Sequence, residues 1–264
     1  MLPWTTTMSK EPVNPDNEKT TTAFGEMTFF EHLAELRKRI LFAVSFITVF
    51  FIVSWTFVDK IYYWLSRPVL QFLPPDAKLA FTALTEPFMM YIKLSFISGL
   101  FIASPFVFHQ LWLFISPALY KKEKRLVFPF VFFTTFFFVL GGAFGYYFIF
   151  PWACRFFLDI GKDFQAIITI NEYFSLAFRV LLGIAVIFEL PVLTFLLAKM
   201  GILSSRFLVK HFKYAVVLIF IIAAVITPTP DMVTQSLFAA PMLVLYLLSI
   251  VIAKIAGPKN EVED

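Results

Sequence analysis

The sequence predicts an all-α, polytopic membrane protein with six transmembrane helices and both termini in the cytoplasm. Composition is the first reason. Of the 264 residues, 59% are hydrophobic, 37 are Phe and only 15% are charged, and the mean hydropathy is +0.81. A soluble core of this size could not hide so much apolar surface. A bilayer can, because its core of about 30 Å accepts runs of roughly 20 apolar residues as helices whose backbone groups are satisfied internally. The second reason is that six apolar runs occur. The third is that Lys and Arg gather in alternate connections, as expected when basic loops stay on the cytoplasmic side.

Residues 1–26 are polar, with Pro, Thr and Asn, and lack the basic start and apolar core of a cleavable signal. They read as a flexible tail, and Met8 or Met27 would serve equally well as the start. The transmembrane domain occupies residues 27–254. An amphipathic stretch from Phe29 ends in Arg37, Lys38 and Arg39, which places it inside, and the first span covers about 40–58. Residues 59–86 mix charge and Pro with Tyr62, Tyr63 and Trp64, a pattern for short helices at the far interface.

Pro87 suits a helix first turn and opens the second span, 87–114. The following loop carries Lys121, Lys122, Lys124 and Arg125 and is therefore cytoplasmic. The third span is 126–150, and an outer loop from Pro151 to Glu172 leads to the fourth, 173–198, which returns to Lys199, Arg206 and Lys210. Spans 214–226 and 232–253 form a hairpin about the turn TPTPD, closed by Lys254, with 255–264 as a cytoplasmic tail. The fifth run covers only about 20 Å, so it predicts a locally thinned bilayer.

Several function classes find no support. There is no GxxxxGK[ST], HExxH or GxSxG, and His32, His109 and His211 are scattered, so no metal or hydrolytic constellation forms and a lipid-modifying membrane enzyme ranks lowest. No cofactor is implied. Cys154 is the single cysteine and cannot form an intrachain disulfide. The formal charge of +4 is small, and its distribution suits a membrane rather than nucleic acid. No repeat period is evident.

Among candidate functional residues, Glu189 stands out. It lies in AVIFELPVL, about 15 Å from Lys199 and so near mid-bilayer, where a carboxyl needs a partner or a proton. It suits either a structural hydrogen bond beside a Pro191 kink or a polar contact for an incoming helix. Lys93 and Arg179 sit about two turns from their outer helix ends, close enough to snorkel. Asp231 fits a cap on the sixth helix, and Gln235, one turn on, an interhelical contact. Glu31, Glu35 and Arg39 recur every four residues, which by itself describes a solvated helical stripe, and Glu123 in KKEKR a loop carboxylate among cations. His32 and Glu35 make an HxxE pair without a second ligand pair.

Five strings in fixed order are more specific than any one of them: HLAELRKR before the first span, SRPVL in the first outer loop, FISPALYKKEKR in the first inner loop, FELPV in the fourth span and TPTPDMVTQ at the last turn. Together they resemble the TatC family from about Phe29 to Lys254. The resemblance implies a concave, glove-like bundle in the bacterial cytoplasmic membrane. It further implies a non-enzymatic receptor that binds twin-arginine signal peptides and exports folded proteins using the proton-motive force. The implied partners are TatB-like and TatA-like single-span subunits in an oligomeric receptor complex.

Carried over by position, the resemblance makes Glu35 and Glu123 the acidic signal-peptide site, with Arg37, Phe114, Leu119, Tyr120 and Lys121 around it. Pro68 matches the family's outer-loop proline, Glu189 its buried carboxylate, and Asp231 and Gln235 its last-turn polar pair. The chemistry is coherent, because a guanidinium offers a planar fork that a carboxylate accepts in bidentate fashion and an ammonium does not. The long polar N-terminus departs from the family's compact start. The alternative is a proton- or cation-coupled small-molecule transporter with Glu189 as its coupling site.

Overall fold

The computed structural model describes residues 29–72, 78–115, 127–165, 167–227 and 231–257. Two compact units divide the chain, Met1–Lys38 and Arg39–Asp264. The described part of the first is the opening of helix α1 (Phe29–Thr56). The second holds the remainder of α1 and α2 (Val58–Leu70), α3 (Glu86–Ile115), α4 (Val127–Phe144), α5 (Phe150–Ile160), α6 (Ile170–Ile187), α7 (Leu190–Lys199), α8 (Ser205–Lys210), α9 (Phe212–Ile226) and α10 (Met232–Ala256). A single parallel β-bridge between Ala80 and Thr169 is the only sheet-type pairing among the described residues.

Among the described residues, five segments are long and apolar enough to cross a membrane: His32–Thr56, Glu86–Ile115, Val127–Ile160, Ile170–Lys199 and Met232–Ala256. Phe212–Ile226 is a shorter apolar helix beside them. The protein is thus an all-α, multi-pass membrane protein.

Two spans run further than the apolar pattern suggests. The third continues through Ile160 because a π-helical turn, Gly145–Ile149, joins α4 to α5, and Pro151 falls in the first turn of α5, where a missing N–H costs nothing. The fourth starts at Ile170, where the Thr169 side chain accepts a hydrogen bond from Glu172 N at 3.3 Å.

α6 is the centre of the bundle. Ala177, Val180, Ile184 and Ala185 are fully buried on it, and α4 and α3 pack alongside. Close approach to α4 requires Gly141, where an added Cβ would lie 2.8 Å from the Ala185 Cα. The α6–α7 span ends in a Schellman closure: Gly201, at φ 72°, donates to Ala198 O, and Ile202 N donates to Leu197 O, both at 3.0 Å.

α2 lies against the bundle through two tyrosines. Pro68 sits inside α2 and has no N–H to offer the carbonyl four residues earlier, that of Trp64. The Tyr146 hydroxyl donates to that carbonyl at 2.6 Å, and its ring stacks on Trp64 at 4.0 Å. One residue on, the Tyr173 hydroxyl donates to Leu65 O at 2.8 Å. A helix-breaking proline is therefore made compatible with helix by a donor from the neighbouring span.

Candidate functional site

The fourth span breaks at its acidic residue. Phe188 N still bonds Ile184 O, but Glu189 N reaches only three residues back, to Val186 O at 3.1 Å. Pro191 then occupies the first turn of α7 and leaves the Ile187 carbonyl without its usual donor. The break falls at Phe188–Glu189, just ahead of the proline that causes it. Glu189 is 7% exposed, and neither carboxylate oxygen has a hydrogen-bond partner among the described residues. Intramembrane carboxyls are costly unless something meets them, so this side chain is a functional candidate on physical grounds.

The last-turn pair serves two structural tasks. Asp231 is the N-cap of α10, where it accepts from Thr234 N at 2.8 Å, and the Thr234 hydroxyl also donates to it. Gln235 sends its amide to the Phe220 carbonyl on α9 at 2.8 Å, tying the hairpin together. Pro68 is buried within α2, and Cys154 is buried and free.

Of the residues assigned to signal-peptide binding, Glu35 is half-buried and Arg37 exposed on the opening turns of α1, within the first unit. Phe114 is half-buried in the last turn of α3. Leu119, Tyr120, Lys121 and Glu123 lie outside the described residues. In the second unit, Arg39 donates to Gln110 Oε1 on α3 at 3.4 Å. Lys93 and Arg179 are exposed on their spans. Among the described residues, no group of three or more His, Cys, Asp or Glu could hold a metal ion. Tyr146 and Tyr173 were not singled out from sequence. The available signal was Pro68, whose missing N–H announces a carbonyl in need of a donor.

The molecule is a multi-pass helical membrane protein in which prolines lie inside α2, α3 and α10 and one span breaks at the buried Glu189. The family model described as Sec-independent protein translocase protein (TatC) matches residues 31–241. The chain belongs to the TatC family, and is a component of Sec-independent protein translocation. The TatC protein of Koribacter versatilis is 46% identical over 237 residues, 89% of this chain and 88% of its own length. That of Helicobacter pylori strain 26695 is 43% identical over 230 residues, 86% and 87% respectively. A crystal structure described as the twin arginine translocase receptor TatC is 33% identical, with a TM-score of 0.77, and the match covers 86% of this chain and 99% of that one.

Proposed function

We propose that this chain is the signal-peptide receptor of a twin-arginine translocase. It reads paired arginines at the cytoplasmic face through Glu35 and Glu123, within a surface shaped by Arg37, Phe114, Leu119, Tyr120 and Lys121. The observation that carries the reading is that the family match, residues 31–241, takes in both carboxylates together with the flanking motifs. Two guanidinium forks need two carboxylate acceptors, and an inner face otherwise rich in Lys and Arg turns away cationic peptides that lack the right spacing. Residues 27–254 form the membrane domain in a bacterial cytoplasmic membrane. Basic residues at Arg37–Arg39, Lys121–Arg125, Lys199 and Lys254 support termini on the cytoplasmic side.

The receptor has no enzymatic step of its own. It assembles with TatB-like and TatA-like single-span subunits, and transport draws on the proton-motive force. Glu189 meets a polar group on a partner helix, which is supported by its burial and by the lack, among the described residues, of a hydrogen-bond partner for either oxygen.

Binding of a labelled Arg-Arg signal peptide and its Lys-Lys twin to the purified protein tests the receptor reading. Arg-Arg binds selectively, and Glu35→Ala or Glu123→Ala weakens it at least roughly 30-fold, as truncating one side of a hydrogen-bonded charge pair does. Equal binding of both peptides, or no loss in either variant, refutes it. For Glu189, the Gln variant transports roughly tenfold more slowly while its thermal unfolding is unchanged. Transport at the full rate removes Glu189 from the partner contact.

A further inference from the structure

We infer that the groove between α5 and α6 is a binding site for a phospholipid with a zwitterionic, amine-bearing headgroup. The groove encloses about 600 Å³, within the roughly 300–1,000 Å³ of small-molecule sites. Its lining is amphiphilic. α5 presents Phe157 and Leu158, and α6 adds Leu176, while Glu172, Ser175 and Arg179 supply the polar side.

Three features of α6 set the order of those polar groups. Residues at i, i+3 and i+7 share a helix face, so Glu172, Ser175 and Arg179 form one stripe along the groove. Helical side chains lean toward the N-terminus, so the Arg179 guanidinium is directed along the groove toward Ser175 and Glu172. Arg179 begins about 13 Å from the start of α6, inside the span Ile170–Lys199. No described residue gives it an ion pair or hydrogen bond, although the pair Arg155–Asp159 forms on the adjoining α5. A cation at that depth calls for an anion, and in a bilayer the anion at hand is a lipid phosphate.

The charge order matches one headgroup class. Under the topology above, α6 begins at the outer face, so Glu172 stands further out than Arg179. A phosphate at Arg179 then places an ammonium beside the Glu172 carboxylate, above the apolar Phe157, Leu158 and Leu176, and the acyl chains run deeper, past Arg179 toward the exposed Val186 on the same stripe. A phosphatidylcholine would bring the phosphate but no N–H donor to Glu172. A phosphatidylglycerol would bring no cation.

The test is native mass spectrometry of the full chain released from nanodiscs of mixed phosphatidylethanolamine, phosphatidylcholine and phosphatidylglycerol. Thermal unfolding of each sample reports folding. The wild-type chain retains phosphatidylethanolamine in preference to the other two lipids. Arg179→Gln retains every phospholipid about tenfold less, and Glu172→Gln keeps phospholipid but loses the preference for the amine-bearing one. Ser175→Leu, which fills the groove without removing a charge, repeats the loss seen with Arg179→Gln. Arg155→Gln, on the outer face of α5, changes nothing. Retention without headgroup preference in the wild type, or retention unaffected in folded Arg179→Gln and Ser175→Leu chains, overturns the assignment. Signal-peptide binding does not enter this readout, so failure of the receptor reading leaves it standing.

Discussion

Two spans of similar length and apolarity live in opposite environments. In Ile170–Lys199, 61% of the apolar window is buried inside the protein, while in His32–Thr56 the figure is 6%. The first is surrounded by helices and carries the acidic break at Glu189. Beyond Arg39, the second touches its neighbours at a few points: Phe46 stacks on Phe106 at 4.8 Å, Trp55 meets Phe88 at 6.2 Å, and Gly99 admits the Phe51 backbone. Hydropathy alone does not separate the two, because lipid tails and a protein interior are equally apolar. What separates them is whether neighbours can close in: beside Phe174 and Ile184, the small Ala177 and Ala185 on α6 are fully buried and Gly183 admits Ile226, whereas Phe42, Val49, Ile52 and Val53 on α1 stay exposed.

The sharpest way to break this contrast is a matched pair of truncations. Ile184→Ala, at a fully buried position on α6, destabilises by about 2–4 kcal/mol in denaturation from mild detergent, because packing contacts are lost without full collapse of the space. Ile52→Ala, at a position 59% exposed on α1, costs under about 0.5 kcal/mol. Equal costs would mean that α1 is as deeply engaged as α6.

A smaller effect probes the join between α2 and the bundle. Tyr146→Phe removes the hydroxyl that serves the Trp64 carbonyl and costs about 0.5–1.5 kcal/mol in the same assay. In a Pro68→Ala background, the restored N–H competes for that carbonyl, so the same substitution costs less. Additive costs would show that the tyrosine does not compensate for the proline.

Much of this was legible from residues alone, for identifiable reasons. Apolar length placed the spans, and Asp231 before an apolar run marked the α10 cap. The FELPV string located the broken helix, although the break lies at Phe188–Glu189 because a proline unmakes the hydrogen bond of the preceding turn. Long-range pairings were not legible. The hydroxyl bonds of Tyr146 and Tyr173 span 82 and 108 residues, and the bridge from Ala80 to Thr169 joins the α2–α3 and α5–α6 connections without any strand-like pattern. The π turn at Gly145–Ile149 was hidden for a different reason, since its sequence GYYFI is as apolar as the helices on either side. The acidic pair Glu35 and Glu123 was read through motif resemblance, because their residue types and spacing alone describe a solvated stripe and a loop.

The least energetic contrast is between α9 and the longer spans. α9 has 15 residues, about 22 Å of helix, against a hydrocarbon core of about 30 Å. Its C-terminal end is closed by Thr227, whose backbone turns extended and whose Oγ1 donates to Ala223 O at 3.0 Å. The mismatch therefore falls on the lipid, at fractions of a kcal/mol per Å. Unfolding in bilayers of graded acyl length checks this: stability peaks in chains shorter than those of a bulk membrane, and a one-turn apolar insertion after Val217 moves the peak toward longer chains. A peak that stays in place after the insertion would assign the local thickness to the five longer spans, which would then have to tilt to reach it.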